Sequence, residues 1–270
     1  MPAFRHPVVA VSHGPGALWL LSSEIFGMSK KCRSAKALQS LFEKLCPDGK
    51  NLPKRILVVS AHFEAVSEGF EISKAAKPDI IFDYYGLPAE AYDLLLGTTS
   101  RPSCVDHGFD HGVFVPMLLI RPQCDIPIVS MSINSQLDSK AHFDLRRALA
   151  AFRDDGTLII CSGQSTHNVR GVHYPSRQAL KGAEVFQDWL DNTLASGSEL
   201  NMDERAHKIQ HWETAPAARL AHPTANHFLP FVVAAGAGME EDNPGAERVF
   251  GGWGMSVLSF ANYVWGSPSC

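Results

Sequence analysis

Apolar residues along the chain fall into two alternating patterns, which together predict an α/β fold. Short continuous apolar runs, typical of buried strands, recur throughout the chain. The predicted strands are Val8–Ser12, Arg55–Ser60, Ile126–Ile133, Thr157–Ser162 and Ser256–Tyr263. Between them lie segments whose apolar residues are three and four positions apart, as on one face of a helix. The predicted helices are Ser34–Cys46, Pro88–Leu96, Ser139–Arg153, Ala179–Leu194, Met202–Trp212 and Phe228–Ala237.

The alternation of strand and helix indicates a sandwich in which helices cover a largely buried central sheet. The chain has no internal repeat, no low-complexity tract and no linker-like stretch longer than a loop. We therefore predict a single α/β domain that spans residues 1–270.

The composition narrows the class of protein. With 45% hydrophobic and 19% charged residues, the chain is ordinary for a globular protein and unlike a disordered one. The net charge of −4 gives no sign of a nucleic-acid-binding surface, and no apolar run approaches the ~20 residues of a membrane span. The N-terminus lacks a secretory-signal pattern, and the six cysteines include no Cys-x-x-Cys pair. We therefore expect reduced thiols and a cytoplasmic protein.

Histidines stand near the ends of predicted strands. The chain has twelve histidines, and His13, His62 and His167 each follow a predicted strand within a few residues. In open α/β sheets, ligands bind beyond the carboxyl ends of the strands. We therefore expect these three imidazoles to converge on one pocket.

Two more histidines have a suggestive local context. His111 lies in a glycine-flanked turn, and His227 lies at the start of an apolar helix. Neutral imidazole binds zinc and iron well, and a catalytic metal keeps about three protein ligands with open positions for substrate. Five clustered histidines would supply three ligands and leave two for acid–base chemistry.

Six short blocks occur along the chain, and five of them carry these five histidines. They are Ser12–Gly14, Val59–His62, Asp83–Pro88, Gly108–Gly112, Ser162–Asn168 and Pro223–Pro230. In sequence and in order they resemble the signature blocks of the class III extradiol ring-cleavage dioxygenases, with most likeness to the 4,5-DOPA-dioxygenase-like branch. The resemblance covers nearly the whole chain.

The resemblance implies a fold and a site. The fold is a single α/β domain with a mixed central β-sheet flanked by helices. The site holds one non-haem divalent metal, which is Fe(II) for activity and often zinc in isolated proteins, with His13, His62 and His227 as ligands. His167 is implied as the acid–base residue and His111 as a second histidine that lines the pocket. We also expect Tyr85 to line it.

The implied reaction opens a catechol-type ring, such as that of DOPA, with O2 at the bond next to the two hydroxyls. A catechol binds a metal through two adjacent oxygens, so it needs two neighbouring open positions, which three protein ligands on one face leave free. A neutral histidine nearby can take a phenolic proton and return it later. The partners implied are a small catechol substrate and O2, with no nucleic acid and no membrane.

Two departures from the family pattern leave alternatives open. Asn226 stands where the family commonly has an acidic residue, which favours an all-histidine metal site. Residues 97–105 replace roughly a helix and a strand, so we predict a short irregular loop there, from a deletion or a gene-model error.

The alternatives are a zinc-dependent hydrolase and a non-enzymatic metal-binding relative of the same fold. A hydrolase would require an acidic base near a ligand, as in His-Glu-x-x-His, and the sequence has no such motif. Oxygen consumption with a catechol separates the dioxygenase from both alternatives.

Overall fold

A six-stranded mixed sheet forms the centre of the computed structural model, which describes residues 4–75, 78–92 and 106–266. The strands are β1 (Val8–Ser12), β2 (Arg55–Glu64), β3 (Ile128–Ile133), β4 (Thr157–Gly163), β5 (Glu247–Phe250), β6 (Trp253–Gly254), β7 (Leu258–Ser259) and β8 (Asn262–Trp265). The order in the sheet is β3-β2-β4-β1-β8-β5, and β6 and β7 form a separate ribbon. β3, β2, β4 and β1 are parallel, whereas β8 and β5 are antiparallel to their neighbours.

Helices cover both faces of this sheet. They are α1 (Arg33–Gln39), α2 (Leu41–Leu45), α3 (His111–Ile120), α4 (Ser139–Asp144), α5 (Arg146–Asp154), α6 (Val169–His173), α7 (Arg177–Leu194), α8 (Met202–Gln210), α9 (Ala218–Ala221) and α10 (Leu229–Gly238). α3 packs on one face against β2 and β4, and α10 packs on the other against β1 and β4. The predicted α/β domain with a mixed central sheet flanked by helices is confirmed.

The core lies on both sides of the sheet because successive strand residues point to opposite faces. In β1, Val9 and Val11 join the core beneath α3, whereas Val8 and Ala10 join the core beneath α10. All four side chains are fully buried. Burial on both faces explains why the strand reads as a continuous apolar run instead of an alternating one.

Several predicted boundaries differ from the structure. The predicted helix Ser34–Cys46 is divided between α1 and α2 at Ser40, and Ser139–Arg153 is divided between α4 and α5 at Leu145. The predicted strand Ser256–Tyr263 is wrong as one element. Its first part pairs with β6 as β7, and its last part enters the main sheet as β8.

Helix α3 is not predicted from the sequence pattern, which indicates a turn around His111. Its side chains are buried nearly all round, so they show no amphipathic periodicity. Pro116 lies within it, and an internal proline argues against a helix. The helix places His111 at its first residue, directly after the N-cap Asp110.

Two predictions fall wholly or partly beyond the described residues. The irregular loop predicted for residues 97–105 lies outside them, as do residues 93–96 of the predicted helix Pro88–Leu96; Ala89–Tyr92 of that helix forms a 3₁₀ turn. Across the part of the chain that the structure describes, no helix is long and apolar enough to cross a membrane.

Candidate metal and catalytic site

Three histidines from distant parts of the sequence meet at the carboxyl ends of the parallel strands. One ligand nitrogen from each of His13, His62 and His227 lies within 4.8 Å of the others. Their ring centroids are 5.1 Å apart for His13 and His62, 5.4 Å for His13 and His227, and 4.8 Å for His62 and His227. The structure thus brings together the three residues that the family resemblance implies as metal ligands.

The strands position two of these histidines directly. His13 follows the last residue of β1, and its backbone N–H donates to the Gly163 carbonyl at 3.0 Å. His62 lies within β2, which is longer than predicted and shifts its register with β3 between Ser60 and Glu64. Because β1, β4 and β2 are adjacent and parallel, both imidazoles reach the same edge of the sheet.

The third histidine is held by close packing against the end of β4. The His227 carbonyl accepts a hydrogen bond from the Gln164 backbone N–H at 2.9 Å. A Cβ atom on Gly163 would collide with this same carbonyl oxygen. Glycine at position 163 therefore lets the segment before α10 approach β4 and places His227 beside the other two rings.

Hydrogen bonds fix which nitrogen of His13 and His62 carries the proton. The Ser162 hydroxyl donates to the Gly112 carbonyl, so it accepts from Nδ1 of His13, 3.2 Å away. Nδ1 of His62 lies 3.1 Å from Oδ2 of Asp83, and a carboxylate only accepts. In each neutral ring Nε2 is then unprotonated and free to bind a metal.

Asp83 is a site residue whose role is not predicted from the sequence pattern. Its Oδ1 accepts from Nδ1 of His111 at 2.8 Å and from the His111 backbone N–H at 3.0 Å, while Oδ2 accepts from His62. Burial acts to raise the pKa of Asp83, but the hydrogen bonds from His111 and His62 outweigh it and keep that pKa well below its usual range. In the sequence, Asp83 is only the first residue of a block that resembles the family. That position marks the residue but does not indicate what its carboxylate does.

His111 lies beside the cluster and is buried. Its ring centroid is 3.9 Å from that of His62 and 5.2 Å from that of His13. The start of its helix is tied to β2 by a 2.6 Å hydrogen bond from the Ser60 hydroxyl to Asp110. Burial lowers the pKa of His111, although its hydrogen bond to Asp83 opposes the shift.

His167 faces the same space from the other side. Its ring stacks on that of His227 with a centroid separation of 3.5 Å and an interplanar angle of 8°. Burial lowers the pKa of His167 to about 4, and the nearby His62 and His111 add to the shift. The imidazole is therefore neutral at pH 7 and able to accept a proton.

A cavity of about 420 Å³ opens above these rings, within the range of small-molecule sites. All five predicted histidines line it, as does Tyr85, which is largely exposed at the mouth. Tyr84, for which the sequence pattern predicts no role, also lines it, and its ring centroid is 5.8 Å from that of His111. Its hydroxyl donates to the Ala91 carbonyl at 2.7 Å.

The cluster fits a divalent metal. Nε2 of His227 and Nε2 of His62 are 3.1 Å apart, about the separation of two nitrogens that each bind one ion at ~2.1 Å. Asn226 does not line the cavity, and its Oδ1 accepts from the Thr224 hydroxyl at 2.8 Å. A second group of close donors comprises His62, Asp83 and His111, but both Asp83 oxygens there already hold imidazole N–H groups.

Known proteins resemble the chain over most of its length. A family model described as the catalytic LigB subunit of aromatic ring-opening dioxygenase matches residues 7–265. A protein of Beta vulgaris named 4,5-DOPA dioxygenase extradiol is 34% identical over 249 residues, which are 85% of this chain and 88% of the relative. Dioxygenase tasH of Hapsidospora irregularis is 34% identical over 270 residues, covering 87% of this chain and 79% of the relative.

A solved structure shares the fold. The crystal structure of an uncharacterized protein from Escherichia coli K12 matches with a TM-score of 0.67 and 27% sequence identity, covering 97% of this chain and 100% of that one. Since the family model spans nearly the whole chain and includes all five histidines of the cavity, the chain belongs to the family of catalytic LigB subunits of aromatic ring-opening dioxygenases.

Proposed function

We propose that this protein is an extradiol dioxygenase that opens a catechol-type ring at the bond next to the two hydroxyls, with Fe(II) held by His13, His62 and His227. The observation that supports it most is the convergence of three imidazole nitrogens within 4.8 Å of one another at the floor of the cavity. Both atoms of O2 enter the ring-opened semialdehyde, so the reaction needs no external reductant.

The metal supplies, when bound, neighbouring open positions for a catechol and O2 and a route for electrons between them. The rest of the chemistry belongs to this chain's own side chains. His13 and His62 present unprotonated Nε2 atoms because Ser162 and Asp83 accept their Nδ1 protons. Three neutral ligands leave the site positively charged, which favours a catechol that has lost a proton.

His167 is the proposed acid–base residue. It is neutral at pH 7, lines the cavity and stacks on His227. It can accept a phenolic proton as the substrate binds and return it as the ring opens. His111 takes the second role: because Asp83 accepts its Nδ1 proton, Nε2 can accept a hydrogen bond from the substrate.

Oxygen uptake tests the proposal. The protein is loaded with Fe(II) without air and then mixed with O2 and a catechol, starting with DOPA, the substrate named for the relative from Beta vulgaris. We expect one O2 consumed per ring opened, with a yellow semialdehyde product. His13→Ala is expected to abolish uptake, and His211→Ala, at an exposed histidine on the α8 side of the molecule, is expected to leave it unchanged.

A protein that holds one Fe(II) per chain and consumes no O2 with any catechol would contradict the proposal. Such a result would favour the hydrolase or the non-enzymatic relative. The cytoplasmic location stays a prediction, which fractionation of the native cells would test.

A further inference from the structure

The cavity changes character between its floor and its mouth. The floor consists of the five clustered imidazole rings. The walls and mouth are largely apolar apart from His173, which is exposed on α6, with contributions from Phe26, Leu87, Val169, Val172, Met255 and Leu258. Among the described residues that line it, histidine is the only ionisable type besides the two tyrosines, Tyr84 and Tyr85. A ring whose hydroxyls face the floor would therefore direct its substituent into apolar surroundings.

Phe26 lies at the mouth in a tight turn whose backbone conformation is unfavourable for phenylalanine. Ile25 and Met28 exchange two hydrogen bonds, N–H to carbonyl, at 2.9 and 2.8 Å. The two residues between them have positive φ, 52° at Phe26 and 75° at Gly27. Glycine, asparagine and aspartate suit such a turn, whereas a bulky side chain at positive φ is strained. Strain of this kind is concentrated at functional sites.

The turn is anchored from below through Met28, which fixes the backbone that carries Phe26. Met28 is buried, and its sulfur accepts a hydrogen bond from Nε1 of Trp19 at 3.3 Å. Phe26 itself is 76% exposed although it lines the cavity. The side chain thus contributes little to the core, and its placement needs another explanation.

Two other segments bring exposed apolar side chains to the same mouth. Tyr85 is 93% exposed and Val169, at the start of α6, is 47% exposed. With Phe26, they come from three separate parts of the sequence. Exposed apolar side chains grouped around a cavity mark a ligand surface, because isolated proteins seldom leave such groups uncovered.

We infer that the substrate is a catechol whose ring substituent is apolar and uncharged, and that Phe26, Tyr85 and Val169 cover this substituent. The inference rests on the proposed function, which directs the hydroxyls to the histidine floor. It departs from the DOPA-like substrate that the family resemblance implies. Among the described lining residues, the mouth offers no carboxylate to an ammonium group and no lysine or arginine to a carboxylate, and its one ionisable nitrogen group is the exposed imidazole of His173.

A set of four catechols with similar substituents tests the charge preference. 4-Propylcatechol is neutral, dopamine is cationic, 3-(3,4-dihydroxyphenyl)propionate is anionic, and DOPA carries both charges. Dissociation constants are measured without O2 by calorimetry on the Fe(II)-loaded protein, and kcat/KM is measured by O2 uptake. We expect 4-propylcatechol to bind at least about tenfold more tightly than each charged analogue, since its terminal methyl group packs on apolar side chains where the analogues place a charged group, and one apolar carbon in such a pocket alone accounts for about that factor.

The outcomes separate the two proposals. Tight binding of 4-propylcatechol with no O2 uptake from any catechol would leave the substrate inference standing and contradict the dioxygenase. Ring opening with DOPA or another charged analogue preferred would contradict the inference and leave the dioxygenase standing. Equal binding of all four would also overturn the inference.

Phe26→Asn tests the residue assignment without risk to the fold. Asparagine tolerates positive φ better than phenylalanine, so the variant should melt no lower than the wild type. We expect about tenfold weaker binding of 4-propylcatechol and binding of unsubstituted catechol within about twofold of wild type. Phe26→Leu should restore most of the affinity, and Phe152→Asn, the same change at an exposed position on α5 outside the cavity, should have no effect.

Unchanged binding of 4-propylcatechol in Phe26→Asn would show that the ring does not cover the substituent. An equal loss for unsubstituted catechol would show a general effect on the site. Either result rejects the assignment of Phe26.

Discussion

The floor and the mouth of the cavity are built on different principles. The floor is formed by histidines at the ends of β1 and β2 and before α10, and hydrogen bonds that His13 and His62 donate to Ser162 and Asp83 orient these two rings. The mouth is formed by a tight turn, a loop and the first residue of α6, with apolar side chains in solvent. The sheet thus holds the histidines in a fixed arrangement, whereas the surface segments can vary in sequence and determine which substrate binds.

The largest expected effect is on the floor. His13→Ala removes one of three proposed ligands, and a site with two ligands holds its ion poorly. We expect the variant to lose both the metal, measured by elemental analysis after gel filtration, and ring cleavage. Retention of one metal per chain would show that the ion lies elsewhere, with the group of His62, Asp83 and His111 as the next candidate.

His167→Ala separates binding of the metal from proton transfer. The ring stacks on His227 but is not among the three converging ligands. We expect the metal content to stay nearly unchanged while kcat falls by ~10²–10⁴, the usual contribution of a positioned acid–base group. If the variant loses its metal as His13→Ala does, His167 is a ligand. If it keeps full activity, the proton-transfer role passes to His111.

Asp83→Asn tests whether the floor depends on orientation as well as on ligands. An asparagine amide offers one acceptor oxygen where the carboxylate offers two, so one of His62 and His111 loses its partner. We expect metal affinity or kcat to fall ~10–100-fold, as for partners of metal ligands elsewhere. Asp188→Asn, at an exposed position on α7, is the control. An effect of less than twofold on both quantities would contradict the role.

The smallest expected effect is on the pH dependence of the free energy of unfolding, through His222, which is buried behind the floor. His222 is fully buried, its Nε2 lies 3.0 Å from the Ser165 carbonyl, and burial lowers its pKa to about 3. This folded-state pKa lies below the unfolded value of ~6.5. As the pH falls, His222 is therefore protonated in the unfolded chain at a higher pH than in the folded protein. The free energy of unfolding decreases as the pH falls from about 6.5 toward 3.

The slope from this one residue is at most ~1.4 kcal/mol per pH unit. In His222→Gln, urea unfolding at pH 7 and pH 5 should show a smaller loss of stability than the wild type. Phe26→Asn, at the mouth, should show the wild-type loss. An unaltered slope in His222→Gln would mean that other groups carry the pH dependence.

The sequence predicted the parts of the floor that depend on strand ends. Val8–Ser12 was predicted with its observed bounds, and His13 follows it, because a strand buried on both faces leaves a plain apolar run. Helix α3 was missed because full burial removes the periodicity on which helix prediction depends. The link from Asp83 to His62 and His111 is a tertiary contact between segments 21 and 28 residues apart, which no local pattern encodes. The strain at Phe26 was not predictable either, because it depends on a positive φ angle that phenylalanine seldom adopts.

The shared carboxylate of Asp83 joins two parts of the site into one unit. One oxygen holds His62, a proposed metal ligand, and the other holds His111, which is proposed to contact the substrate. A substrate that draws His111 toward itself weakens the hydrogen bond from His111 to Asp83. The carboxylate then accepts more strongly from His62, which changes how strongly Nε2 of His62 donates electrons to an ion. Affinity for the ion and affinity for the substrate are then thermodynamically linked, and each must raise or lower the other by the same factor.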